Sequence, residues 1–182
     1  MKSGYVISDL HLFSRRTGAE QYMARLHRAL SDGDFLVLNG DIFDFRWSCQ
    51  GKTETAIRVA TDWLRTLATE HPHCRFFYIM GNHDREFHFP EVQRTLTGAL
   101  EEQARAENLS LLRGSIQFEP WFFYVPDEIF AEHGNQYDFY TSFRYLLSPV
   151  MAVDGEQRLA LPMGNLSNRY LMTRMGYFNP HT

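Results

Sequence analysis

Two periods of apolar residues alternate along the chain. Tyr5, Val6 and Ile7 form a short β-rich run between Gly4 and Ser8-Asp9, the pattern of a buried strand. Over 19–30, Tyr22, Met23, Leu26 and Leu30 recur at helical spacing, and Ser31-Asp32-Gly33 stops the run, which predicts a helix. Phe35, Leu36, Val37 and Leu38 predict a second buried strand, ending at Asn39-Gly40-Asp41. A second helix is expected over 56–67, with Ile57, Ala60, Leu64 and Leu67 on one face and Pro72 beyond its end. A third strand over 75–80 runs into Gly81-Asn82, and a third helix follows over 92–106. Strand-like pieces then crowd together over 109–112, 116–118, 121–125 and 128–131.

Strands that alternate with helices imply parallel βαβ units, so the fold class is α/β; the crowded later strands imply an antiparallel addition. Past Ser148 the pattern weakens, interrupted by Pro149, Gly155, Pro162, Gly164 and Pro180. The expected organisation is a main domain over 1–147 and a C-terminal extension over 148–182 that reads as the start of an insertion or cap.

Composition narrows the function classes. A chain of 182 residues, 44% hydrophobic, is long enough to bury a core without staples. A net charge of −4 with no basic run argues against a dedicated nucleic-acid surface. The aromatic runs Phe76, Phe77, Tyr78 and Trp121 to Tyr124 read as core rather than as a platform for stacking bases. His27, His71, His73 and His88 read as surface residues. Cys49 and Cys74 lack metal-type spacing and read as reduced thiols. With no apolar stretch of membrane-spanning length and no leader before the first strand, a soluble cytoplasmic protein is expected, its oligomeric state open.

Three polar clusters fall at the carboxyl ends of the three expected parallel strands: Asp9-Leu10-His11, Gly40-Asp41-Ile42-Phe43-Asp44 and Gly81-Asn82-His83-Asp84. That edge of an open α/β sheet is where ligands bind. Residues i and i+2 of an extended chain point the same way, so Asp9 and His11 are expected to grip one cation together. Gly40 permits a sharp turn that brings up Asp41, whose two carboxylate oxygens suit a bridge between two ions. Asn82 offers a neutral oxygen, and His83 is left to act on a substrate. Carboxylate with imidazole suits Mn, Fe, Zn or Co.

The order D-x-H, G-D-x-x-D, G-N-H-D, followed by Glu132-His133-Gly134-Asn135, resembles the calcineurin-like metallophosphoesterase family over roughly 5–145. The resemblance implies a layered α/β/β/α sandwich. It also implies a centre of two divalent ions, most simply Mn, that hydrolyses a phosphoester or pyrophosphate with a metal-bound hydroxide as nucleophile. By that resemblance Asp9, His11 and Asp41 are ligands of one ion, and Asp41, Asn82 and His133 of the other. His83 serves the leaving group, Asp84 orients His83, and Asp44 holds a ligand's geometry. Arg15, Arg16 and Arg85 lie near the expected rim as partners for substrate phosphate.

His133-Gly134-Asn135-Gln136-Tyr137-Asp138, with Tyr140, Phe143 and Arg144, is similar to the branch that contains UDP-2,3-diacylglucosamine pyrophosphatases. That branch implies a nucleotide-lipid substrate and peripheral contact with the inner membrane surface, although it typically carries arginine in place of His83 and aspartate in place of Asn135. The family's closing G-H-x-H motif does not occur here, and His181 lacks its preceding glycine and paired histidine. The expectation is a sandwich incomplete at its C-terminal side; the alternative is an inactive remnant that binds metal or phosphate.

Overall fold

Strands β1 (Gly4–Ile7), β2 (Phe35–Asn39), β3 (Arg75–Ile79) and β4 (Ile116–Glu119) form one sheet in the order β1-β2-β3-β4. All three pairings are parallel, with Val6 opposite Val37 and Val37 opposite Phe77. The computed structural model describes residues 3–15, 17–45, 48–106, 116–145 and 148–167. The strand expected over 109–112 lies outside them, as do Arg16 and His181.

The crossovers are α1 (Met23–Leu30), α2 (Thr53–Glu70) and α3 (Pro90–Ala106). A 3₁₀ turn, Ala19–Tyr22, fills the first part of the helix expected over 19–30. Strand alternation sorts the core into two faces. Leu36, Leu38, Phe76 and Tyr78 pack against Leu30, Leu64 and Leu96 of the helices. Val37, Phe77 and Ile79 point the other way, onto Phe123. Leu64 and Leu67 are buried, and each contributes roughly 1.5–3 kcal/mol of hydrophobic stabilisation.

Several expectations need correction. The strand over 116–118 belongs to the main sheet and runs parallel to β3, because α3 carries the chain back before it re-enters. The antiparallel addition begins only with the hairpin β5 (Phe122–Val125) and β6 (Ile129–Glu132). Phe123 alone of the run Trp121 to Tyr124 is buried; Phe122 and Tyr124 face out, since alternate residues of a strand take opposite faces, and Trp121 is exposed just ahead of the strand. His71 is buried rather than on the surface, and burial, then neighbouring His27, hold its imidazole below the ordinary histidine value. His88 is half-buried edge-on to Phe143, and burial lowers its pKa to about 4.

Over the described residues 148–167 the chain forms a second hairpin, β7 (Val150–Val153) and β8 (Glu156–Leu159), followed by α4 (Met163–Ser167). Asp154 and Gly155 both have positive φ, 52° and 80°, as a tight hairpin turn requires. The backbone N–H of Gly164 in α4 donates to the carbonyl of Tyr140.

Candidate metal centre

The loops that leave β1 and β2 continue the parallel pairing past the strands. Asp9 N–H donates to Gly40 O (3.1 Å), His11 N–H to Asp41 O (3.0 Å) and Leu12 N–H to Ile42 O (2.8 Å). This pairing is sustained by left-handed backbone at Asp9 (φ 54°), His11 (φ 46°) and Asp41 (φ 52°). Such conformations cost a non-glycine residue of order 1–3 kcal/mol and gather at functional sites. Asp9 and His11 therefore meet by a turn, not by the extended geometry expected from their spacing; His11 Nε2 lies 3.9 Å from Asp9 Oδ1.

Two glycines make room for the centre. A Cβ on Gly81 would collide with the carboxylate and backbone nitrogen of Asp41, and one on Gly40 with the ring of His133. Gly40 also adopts φ 77°.

Asp41 sits at the middle, buried. Its Oδ1 accepts the backbone N–H of His83 (2.8 Å). Its Oδ2 lies 3.5 Å from His133 Nε2 and 3.9 Å from His83 Nε2. Ligand atoms of His11, Asp41 and His83 lie within 4.8 Å of one another, and so do those of Asp9, Asp41 and His133. Asp41 is common to both groups.

Each imidazole is aimed by a fixed acceptor. His133 Nδ1 is 3.0 Å from the carbonyl oxygen of Asn39, which can only accept, so the proton is on Nδ1 and Nε2 turns to Asp41. Asp44, wholly buried, takes both other rings on one oxygen: His11 Nδ1 at 3.1 Å and His83 Nδ1 at 2.7 Å. The rings of His11 and His83 meet edge to face at 4.8 Å.

Two expected roles are corrected by these contacts. Asp84 does not hold His83: its carboxylate accepts from Gly81 N–H (2.7 Å), Ile42 N–H (2.9 Å) and the Tyr78 hydroxyl. Asp44 has the position expected of Asp84. Arg85 is wholly buried and donates to the carbonyl of Asn82 (2.7 Å), which ties it into the loop rather than presenting it to a phosphate. Arg15 is exposed.

Asn82 is buried, and its amide donates to Asn165 Oδ1 of α4 (3.3 Å). Sequence reading missed Asn165, together with Tyr78 and the carbonyl of Asn39. No spacing or residue type marks Asn165. Tyr78 has a fainter signal, being a polar-tipped side chain in an apolar buried strand, where a hydroxyl needs a partner.

The electrostatics follow from this crowding. Burial works against a charged His133, but the hydrogen bond and charge of Asp41 outweigh it and raise its pKa to about 9. Burial likewise opposes ionisation of Asp41, yet His133 and His83 hold its pKa below the ordinary value. For His11 the burial penalty is outweighed by Asp44, and its pKa is raised. A raised histidine pKa stabilises the fold most below the unfolded value near 6.5, and this contribution from His133 is lost as pH rises through about 9. A divalent ion would take the place of these protons, and the mixed carboxylate and imidazole donors fit Mn, Fe, Zn or Co.

Comparison with known proteins agrees with this chemistry. The family model described as calcineurin-like phosphoesterase matches residues 5–160. Searches of curated proteins and of solved structures found no match.

Proposed function

The chain belongs to the calcineurin-like phosphoesterase family, whose class of chemistry is metal-dependent hydrolysis of phosphoester bonds, and on that premise we propose that it cleaves a phosphodiester or pyrophosphate at the rim around Asp41. The observation that carries the reading is that buried Asp41 lies within reach of candidate ligand atoms on two sides, toward His11 and toward His133. When bound, two divalent ions, Mn first among the candidates, hold phosphate oxygens and make a water acidic enough to attack phosphorus.

The chain's own residues do the rest. Asp9, His11, Asp41, Asn82 and His133 would hold the ions. Asp44 orients both His11 and His83 through their Nδ1 atoms. With Nδ1 on a buried carboxylate, His83 turns Nε2 to the site, where it serves as proton donor to the departing oxygen. Exposed Arg15, near the His11 loop, meets substrate phosphate.

A narrower reading, a nucleotide-lipid pyrophosphate substrate, draws on the exposed aromatics that follow His133, namely Tyr137, Phe139, Tyr140 and Tyr145. They offer an apolar surface of the kind acyl chains prefer. No helix among the described residues is long and apolar enough to cross a membrane.

The test is hydrolysis of aryl phosphodiesters with Mn²⁺ and with EDTA, in the wild type and in His83→Gln. Hydrolysis should require the metal. His83→Gln should slow phenyl leaving groups by roughly 10²-fold or more and 4-nitrophenyl far less, because a good leaving group needs little protonation. Equal slowing of both substrates, with fewer ions bound, would make His83 a ligand instead. Running a UDP-linked diacyl lipid beside them separates the narrower reading: indifference to the acyl chains counts against it.

A further inference from the structure

The parallel strands place a second cluster at the opposite end of the sheet from Asp41. His27 is in the last turn of α1, before β2 begins; Glu70 closes α2, and His71 follows it, before β3 begins. His27 Nδ1 lies 3.0 Å from His71 Nε2 and 3.1 Å from Glu70 Oε2. Ligand atoms of the three residues all lie within 4.8 Å of one another.

Hydrogen bonding alone serves this arrangement poorly. A carboxylate only accepts, and one imidazole nitrogen carries at most one proton. If His27 Nδ1 is protonated, its single hydrogen is divided between two acceptors. If it is not, its lone pair faces the carboxylate. A cation at the centre satisfies all three atoms. Bonds of roughly 2.0–2.1 Å at angles between octahedral and tetrahedral separate donors by about 2.8–3.4 Å, which brackets both distances.

The scaffold is fixed before any ion arrives. His71 is buried, its N–H donates to Leu67 O (3.2 Å), and its carbonyl accepts from Cys74 N–H (3.0 Å). His73 Nε2 donates to Leu30 O (3.0 Å), which ties the same loop to the end of α1. Two imidazoles and one carboxylate favour zinc, nickel or copper over magnesium or calcium.

We propose that His27, Glu70 and His71 form a second metal site, for a zinc-class divalent ion, that clamps the end of α1 to the end of α2. It is separate from the rim and does not depend on the reading of the rim.

The experiment is equilibrium dialysis of the full chain against zinc chloride at pH 7.5, with zinc counted per chain in the wild type, His27→Gln, His71→Gln and Glu70→Gln. Either histidine variant should hold one equivalent less than the wild type, and zinc should raise its Tm by less. Glu70→Gln should bind that equivalent about tenfold or more weakly, in line with the loss of a supporting group at a metal site. His71 is buried, where a substitution bears on folding, so half-exposed His27 carries the decision. An unchanged zinc count in folded His27→Gln, checked by circular dichroism, overturns the proposal and leaves a hydrogen-bonded surface cluster.

Discussion

Asp41→Asn should bind no pair of ions at the rim and should lose about 10³-fold or more of the manganese-dependent hydrolysis. The substitution keeps the side chain's shape and leaves an oxygen for the backbone N–H of His83, which Asp41 Oδ1 accepts at 2.8 Å. What it removes is the charge shared by both groups of ligand atoms. Metal ions contribute several kcal/mol of charge stabilisation to phosphoryl chemistry, and each 1.4 kcal/mol is a factor of ten. The fold should survive, although His133 loses the partner that raises its pKa to about 9. Its imidazole should then titrate below that value, which histidine-selective NMR would detect. Manganese binding and activity like the wild type's would remove Asp41 from the centre.

Asp84→Ala should act on the fold before it acts on chemistry. Three donors would lose their acceptor at once: Gly81 N–H, Ile42 N–H and the Tyr78 hydroxyl. Each buried polar group left unpaired costs about 1–3 kcal/mol, so the sum is about 3–9 kcal/mol against a total stability of about 5–15. Asp84→Asn keeps the volume and one acceptor oxygen and should lose less. The pH response has a definite sign. Burial, then the charge of Asp41, raise the Asp84 pKa to about 6 in the metal-free chain. That contribution to stability is full below about 3.8 and is lost as pH rises through about 6. Urea denaturation of both variants across that range measures it; a loss below about 1 kcal/mol for alanine would contradict the bracing role.

Much of this was legible in the residues. The three buried strands announced themselves through short apolar runs, and the polar clusters at their ends assembled where strand direction puts them. The failures have physical causes. Phe122, Phe123 and Tyr124 are all aromatic, so their in-and-out alternation leaves no trace in polarity. The β7–β8 hairpin did carry a signal, Asp154-Gly155 between two short runs, masked by the prolines and glycines around it.

Side-chain partnership was the harder part. Asp44 and Asp84 are both acidic residues beside the motif histidines, and spacing does not say which faces His83. The tight loop after β3 turns Asp84 inward onto backbone donors and leaves Asp44 to the two rings. Arg85 shares that inward turn, which a count of nearby cations does not reveal. Asn165 reaches Asn82 from 83 positions away in sequence, a contact only the fold creates.

The most direct test of the account is the anomalous diffraction of manganese in crystals of the full chain grown or soaked with Mn²⁺. Two peaks about 3.5–4 Å apart should flank the carboxylate of Asp41, one toward Asp9 and His11 and the other toward Asn82 and His133. Peaks elsewhere with none beside Asp41, in crystals where His133 and His83 keep their places, would contradict the assignment of this rim as a dinuclear metal centre.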